Sequence, residues 1–241
     1  MKQCYEPNWK TLKNRPAVFV WIPKTAGTSV RAIIERNEYP IQIGGGGGWE
    51  HASYKEIVKP LLSMGEPEPT IVTVVRNPYD WLVSYFHQHS SQDRPGGQES
   101  ALGNWESFED FLRKFDSGAL PRFMRTEGFI TEQLYDEKNH CKADVIIRFE
   151  HLQAGWGKTV EGLVGCERLR NGLSLPYKNR GEGHSRNPTF GPTPRNYRKY
   201  YTEEMVEFVE KRFGKEMSMY GYTIDGPIDD SIFVDPAKCH R

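Results

Sequence analysis

Three apolar runs stand out against a chain that is otherwise amphipathic or polar: Ala17 to Ile22 (AVFVWI), Thr70 to Val75 (TIVTVV) and Ala143 to Phe149 (ADVIIRF). Short β-branched runs of this kind, without polar alternation, predict strands buried on both faces of a parallel sheet. Between them the apolar positions fall at helical spacing. Thr28 to Glu38 places Val30, Ile33 and Ile34 inward, and Ser53 to Ser63 and Tyr79 to His89 read as further helices. Trp105 to Asp116 carries Trp105, Phe108, Phe111, Leu112 and Phe115 on one face. A short helix is expected from about Thr159 to Val164. A last one follows the cap Thr202, with Met205, Phe208, Val209, Phe213 and Met217 as its apolar face. Strands alternating with helices predict an α/β domain around a parallel sheet.

The polar stretches define the rest of the organisation. Met1 to Pro16 reads as a lead-in, and the five glycines Gly44 to Gly48 as a mobile connection into Trp49-Glu50-His51. Ser90 to Asn104 reads as a surface loop. Arg168 to Lys199 is rich in Arg and Lys, with Glu182 its only acid, and its Gly and Pro content excludes regular structure throughout. It is either a solvated loop or a basic flap over an anion site. The acidic tail from Asp225 is expected to pack loosely. The whole is expected to form one domain over residues 1–241, with 1–16 as lead-in and 223–241 as tail.

Two strand ends carry chemistry. After the first strand come Pro23, then Lys24-Thr25-Ala26-Gly27-Thr28-Ser29, then a helix. A tight polar loop entering a helix N-terminus presents free N–H groups and a favourable dipole to an anion. Lys24 adds a positive charge, and Thr25, Thr28 and Ser29 add hydroxyls. The alternative is an ordinary turn capped by Thr28. The second strand ends at Arg76-Asn77-Pro78, with Pro78 suited to a first helical turn. That places a cation at the sheet edge where open α/β sheets bind ligands, with Ser84 further along the same helix.

Composition narrows the choice. Thirty-two basic residues balance 32 acidic ones, so no overall field draws the chain to nucleic acid or anionic membrane, and any anion site is local. No run has the length of a transmembrane helix and the polar start has no signal-peptide core, which predicts a soluble, cytoplasmic protein. Cys4, Cys141, Cys166 and Cys239 are scattered without a C-x-x-C pair, so free thiols and no metal centre are expected. The Walker pattern G-x-x-x-x-G-K-[ST] is absent, because Lys24 precedes Gly27. No apolar strand ends in an evident magnesium-binding Asp.

Ile22-Pro23-Lys24-Thr25-Ala26-Gly27-Thr28-Ser29 resembles the 5′-phosphosulfate loop of sulfotransferases that use 3′-phosphoadenosine 5′-phosphosulfate (PAPS). Val74-Val75-Arg76-Asn77-Pro78-Tyr79-Asp80 with Ser84-Tyr85 resembles that family's 3′-phosphate motif, with Trp81 where the pattern usually has Arg. The closing helix through Met219-Tyr220-Gly221-Tyr222 is similar as well. The nearest branch is that of the heparan sulfate 2-O-sulfotransferases and related carbohydrate sulfotransferases. The resemblance implies a P-loop-NTPase-like three-layer sandwich with a central parallel sheet flanked by helices. It also implies PAPS as co-substrate and PAP as product, without a metal. Lys24, Thr25, Ala26, Gly27, Thr28 and Ser29 would hold the 5′-phosphosulfate, and Arg76 and Ser84 the 3′-phosphate. Arg186, or else Arg180, would give a third phosphate contact. Lys24 would also stabilise the leaving charge.

Transfer to a hydroxyl needs a general base. His87 and His89 lie two apart on one helix and cannot share a face, while His140, His184 and His240 sit in polar surroundings. His151 is expected to be structural beside Glu150. His51 follows the glycine run in a segment like the family's G-H-x-x-[YF], where some relatives have a catalytic His and others Glu. It is therefore the expected base, with Glu50 in reserve. The resemblance implies a hydroxyl-bearing acceptor, a carbohydrate or a small molecule, which the residues do not name. Trp49, Trp105 and Trp156 could stack on it but are more simply core residues. Two other functions fit the same residues: a nucleotide-dependent phosphotransferase, and a non-catalytic protein that binds PAP or sulfated glycans.

Overall fold

A computed structural model describes residues 5–44, 51–90, 105–117, 132–165 and 196–240. After a one-turn helix α1 (Trp9–Leu12), the described chain runs β1 (Ala17–Val20), α2 (Gly27–Asn37), β2 (Ile41–Ile43), α3 (Tyr54–Ser63), β3 (Thr70–Val75) and α4 (Pro78–Ser90). Then come α5 (Phe108–Asp116), β4 (Val145–Arg148), α6 (Leu152–Val164), α7 (Glu203–Tyr220), β5 (Tyr222–Thr223), β6 (Gly226–Pro227) and β7 (Phe233–Val234). The main sheet has the order β2-β1-β3-β4-β7, in which only β7 is antiparallel. The parallel α/β expectation holds, with one antiparallel strand added at the edge.

Strand periodicity sorts the side chains onto two faces. Phe19, Val72, Val74, Val145 and Ile147 pack with Val30 and Ile33 of α2 and Trp156 and Val160 of α6. On the other face Val18, Val20, Ile71, Val75 and Ile146 pack with residues of α3, α4, α5 and α7. Helices cover both faces, so the molecule has three layers. Local signals agree with the packing. Ser53 and Glu56 close a capping box on α3, and the Thr202 hydroxyl accepts the Met205 N–H at the start of α7.

Two expectations are corrected. The helix expected from about Thr159 begins seven residues earlier, at Leu152. Three glycines weaken its apolar signature, and at two of them, Gly155 and Gly162, a Cβ has no room. A Cβ on Gly155 would lie 2.4 Å from Ile147 Cγ2, so only glycine lets α6 approach β4 this closely. Nor is the C-terminal segment loosely packed. Phe233, Val234 and Cys239 are buried, and β7 pairs with β4 through Ile146 and Ile147.

Arg148 is the reason the segment holds. Its fully buried guanidinium donates to the carbonyl of Tyr220 at 3.2 Å, of Asp229 at 2.9 Å and of Ser231 at 3.1 Å, and its charge meets the Asp229 carboxylate at 2.5 Å. The Arg148 hydrogen bond holds the Asp229 carboxyl well below the usual carboxylate range. A depressed folded-state pKa stabilises the fold above the unfolded carboxylate's pKa, and that contribution is lost as pH falls through the folded value. Asp229→Asn should therefore cost on the order of 1 kcal/mol at neutral pH, discounted for the half-exposed carboxylate. The gap in thermal midpoint between wild type and variant should stay constant above about pH 5 and shrink below about pH 4, a dependence that melting curves across pH will check.

Candidate functional site

The parallel strands β1, β3 and β4 all deliver their C-terminal ends to one edge of the sheet. The opposite edge carries two ion pairs, Arg15 with Asp144 at 3.2 Å and Lys142 with Glu68 at 2.9 Å. At the C-terminal edge the chain leaves β1 through Trp21 to Pro23 and turns sharply. Lys24 and Ala26 both take left-handed backbone conformations, at φ 66° and 69°. Such angles are uncommon for side-chain-bearing residues and mark a loop held in place by its surroundings.

Ala26 is the N-cap of α2, and no side chain caps that helix. The Thr28 cap of an ordinary turn is not formed. Ser29 N–H returns to the Ala26 carbonyl at 2.9 Å, while the N–H groups of Gly27 and Thr28 take no partner among the described residues. The hydroxyls of Thr28 and Ser29, both half-buried, are likewise without a hydrogen bond to another described residue. Thr25 differs: it is fully buried and its hydroxyl donates inward to the Ile22 carbonyl at 2.7 Å. It braces the turn, and its hydroxyl proton is already engaged. Gly27 is required here, since a Cβ would fall 1.8 Å from Nε1 of Trp21, whose indole lies against the helix start.

The second loop is fastened to the first. Arg76 donates to the Lys24 carbonyl from one terminal nitrogen at 2.9 Å. Its Nε and other terminal nitrogen meet Oδ2 of Asp80 at 2.7 and 2.6 Å, and the guanidinium lies 4.2 Å from the ring centroid of Phe149. Of its five N–H groups, three are thus used and one on each terminal nitrogen remains, the pair a phosphate can bridge. Because Asp80 already balances the charge, Arg76 offers direction more than net positive charge. Ser84 lies one turn of α4 beyond Asp80, buried, with no hydrogen bond to another described residue.

His51 joins the same edge. Its Nδ1 lies 3.1 Å from the Trp21 carbonyl, and its ring meets the Trp21 indole edge-on at 4.9 Å. A carbonyl only accepts, so Nδ1 carries the proton and the neutral ring keeps its Nε2 lone pair free. The residue is exposed. This tautomer is the one a general base requires. Glu50, Arg180 and Arg186 lie outside the described residues. Lys24, Gly27, Thr28, Ser29, Arg76, Ser84 and His51 share the edge, while Thr25 and Ala26 shape the turn.

Several supporting residues were not foreseen. Trp81 is almost fully buried, and its indole N–H donates to the Pro23 carbonyl at 2.9 Å, a second tie between the loops. Asn77 caps α4 by accepting the Tyr79 N–H at 3.0 Å, and its amide donates to the Thr223 carbonyl at 2.7 Å and the Tyr197 hydroxyl at 3.2 Å. Tyr197 stands near the end of the basic stretch; burial, with Asp80 and Glu150 nearby, pushes its pKa up to about 12. The Glu150 stem is exposed, but its carboxyl end turns inward and accepts from the Tyr222 hydroxyl at 2.7 Å. Burial of that end raises its pKa, while bonds from Tyr222 and Asn77 and the charge of Arg76 pull the other way. The Asn in Arg-Asn-Pro was the available signal, since Asn before Pro favours a local cap. His151 Nε2 is buried without a partner among the described residues. Trp156 is core, edge-on to Phe19 at 6.0 Å.

Residues 51–142 match the family model of the sulfotransferase domain. The match opens at His51 and takes in Arg76, Asp80 and Ser84. No curated protein matches the chain significantly. Among solved structures, the chain resembles the mouse sulfotransferase SULT7A1 complexed with PAP, at 17% identity and a TM-score of 0.47, over 89% of this chain and 90% of that one. That likeness by itself assigns no residue here. Among the described residues no helix is long and apolar enough to cross a membrane.

The Gly27 contact gives a direct check on the turn. Gly27→Ala should displace the Trp21 indole at a cost of about 1–3 kcal/mol and weaken anion binding at the loop. Thermal melts and calorimetry with PAP read the two effects separately.

Proposed function

We propose that this chain is a sulfotransferase that moves a sulfuryl group from PAPS to an acceptor hydroxyl by in-line transfer and releases PAP. The observation that carries the reading is the Arg76 bond to the Lys24 carbonyl, which fastens two anion-ready strand ends side by side. The sulfotransferase-domain match over residues 51–142 supports it. Two nearby anion positions suit a nucleotide that is phosphorylated at both its 5′ and 3′ ends.

PAPS supplies the activated sulfuryl group when bound. The chain's own residues do the rest. The free N–H groups of Gly27 and Thr28 and the hydroxyls of Thr28 and Ser29 suit the 5′ end, with Thr25 and Ala26 shaping the turn beneath it. The remaining N–H pair of Arg76 and the Ser84 hydroxyl suit the 3′-phosphate, with Arg186 assigned as the third contact by family resemblance. Lys24 stabilises charge that develops on the leaving group, and preorganised charge of this kind is often the largest single contribution to a rate. His51 Nε2 takes the acceptor hydroxyl's proton. We assign the acceptor to the carbohydrates and small hydroxyl compounds, from the resemblance to the carbohydrate branch.

Calorimetry with PAP and with ATP-Mg tests the site: PAP should bind and ATP-Mg should not compete, whereas preference for ATP-Mg would make this a phosphotransferase. Radiolabelled sulfate transfer over a panel of hydroxyl acceptors then tests the reaction. PAP binding without any transfer would make the chain a non-catalytic binder. His51→Ala should lower kcat by about 10²–10⁴-fold with PAP affinity unchanged. Full kcat in that variant would remove His51 from the base role. Arg76→Ala should weaken PAP by about 10–100-fold, the loss of charged hydrogen bonds, and Lys24→Ala should act mainly on kcat.

A further inference from the structure

Between the loop that enters α2 and His51 stands one donor that neither of them uses. Trp21 is the first residue beyond β1, and only 7% of it is exposed. A Cβ on Gly27 would fall 1.8 Å from its Nε1, 2.0 Å from Cε2 and 2.1 Å from Cδ1. Those three atoms form the edge of the indole that carries the N–H. It is this edge, and not the far side of the ring system, that meets the first residue of α2. The free backbone N–H groups of the turn begin at the same residue. The indole also meets the His51 ring edge-on at 4.9 Å.

A buried indole normally spends its N–H on a partner. Trp9 donates to Glu6 at 3.3 Å and Trp81 to the Pro23 carbonyl at 2.9 Å, while the indole nitrogens of Trp105 and Trp156 are sealed inside the protein without a partner. Trp21 belongs to neither group. Its N–H donates to no other described residue, and its nitrogen is not among those sealed from solvent. A side chain more than nine-tenths buried thus keeps an unspent donor at the start of α2, beside the N–H groups of Gly27 and Thr28.

We propose that Trp21 is a further catalytic residue, whose indole N–H donates to a sulfuryl oxygen of bound PAPS. The proposal rests on the sulfotransferase reading of the same site. The sulfuryl group is the outermost part of the nucleotide's 5′ end. In-line transfer therefore puts it between the loop that holds the 5′-phosphate and the base that takes the acceptor's proton. The indole touches both, Gly27 in the loop and the ring of His51. A donor on a ring packed this tightly fixes the rotation of the sulfuryl group, and being in place beforehand it costs no reorganisation during the reaction. The indole keeps its proton throughout. The acceptor oxygen bonds to sulfur as the bridging S–O bond breaks, the electron pair of that bond leaves with PAP, and the acceptor's proton goes to His51.

PAP lacks the sulfuryl group, which separates this donor from the rest of the site. The test uses the full chain with an isotopic nitrogen label at its indoles, titrated by nuclear magnetic resonance with PAPS and separately with PAP. The Trp21 resonance is identified by its Overhauser contact with the Gly27 α-protons and by its loss in Trp21→Phe. PAPS should move it downfield, as a new hydrogen bond does, and PAP should move it less. Trp21→Phe keeps an aromatic ring at this position. Calorimetry should give it the wild-type affinity for PAP, and radiolabelled transfer should give a kcat lower by about 10–100-fold, the loss of one hydrogen bond to a charged group. Unchanged kcat, or a PAP affinity that falls as far as kcat does, would overturn the proposal. A Trp21 resonance that PAPS leaves in place, in wild type that binds both nucleotides, would overturn it even where the Phe variant does not fold. Wild type that binds neither nucleotide would instead overturn the sulfotransferase reading, and this donor with it.

Discussion

One guanidinium holds the candidate site together. Arg76 spends three of its five N–H groups inside the protein, on the Lys24 carbonyl and on Asp80, and lies over Phe149. It therefore touches the ends of β1, β3 and β4 at once. The left-handed turn at Lys24 and Ala26 is costly by itself and persists where neighbours over-determine it. Here the Lys24 carbonyl is pinned by Arg76, the Pro23 carbonyl by Trp81, and the Ile22 carbonyl by Thr25. With those three carbonyls turned inward, the N–H groups of Gly27 and Thr28 are left facing out. The proposed anion-binding character of the loop would be the other side of its internal satisfaction.

The same economy extends to the C-terminal strap. Buried Arg148 gathers carbonyls from Tyr220 to Ser231, and the segment it anchors presents Tyr222 to Glu150 and Thr223 to Asn77. Asn77 sits between Arg76 and the helix it caps, so the strap stiffens the second loop from behind. Tyr197 docks on Asn77 as well and ties the exit of the basic stretch to this point. Trp21 plays a comparable part on the other side. Its indole shapes the entry to α2, and its carbonyl selects the His51 tautomer.

Much of this was legible in the residues. The three apolar runs became β1, β3 and β4, and the polar loops at Lys24 and Arg76 came to one edge, because parallel strands impose that placement. What escaped was encoded in contacts between distant segments. β7 is only Phe233–Val234, too short for a periodic signal, and its burial depends on Arg148 accepting a wrapped tail. α6 was cut short because Gly155, the residue that permits close packing on Ile147, lowers helical propensity. Trp81 looked like a departure from a phosphate motif and is instead a tie between loops. Whether Thr25 faces ligand or interior could not be read from a hydroxyl's presence alone.

The central claim is a site with two phosphate positions, one at each strand end. Calorimetric titration with PAP and with adenosine 5′-monophosphate, which lacks only the 3′-phosphate, addresses it most directly. A PAP advantage of at least about tenfold in Kd is predicted, since charged hydrogen bonds of the Arg76 kind contribute about 1.5–3 kcal/mol. Equal affinity for the two nucleotides would contradict a second phosphate position at Arg76.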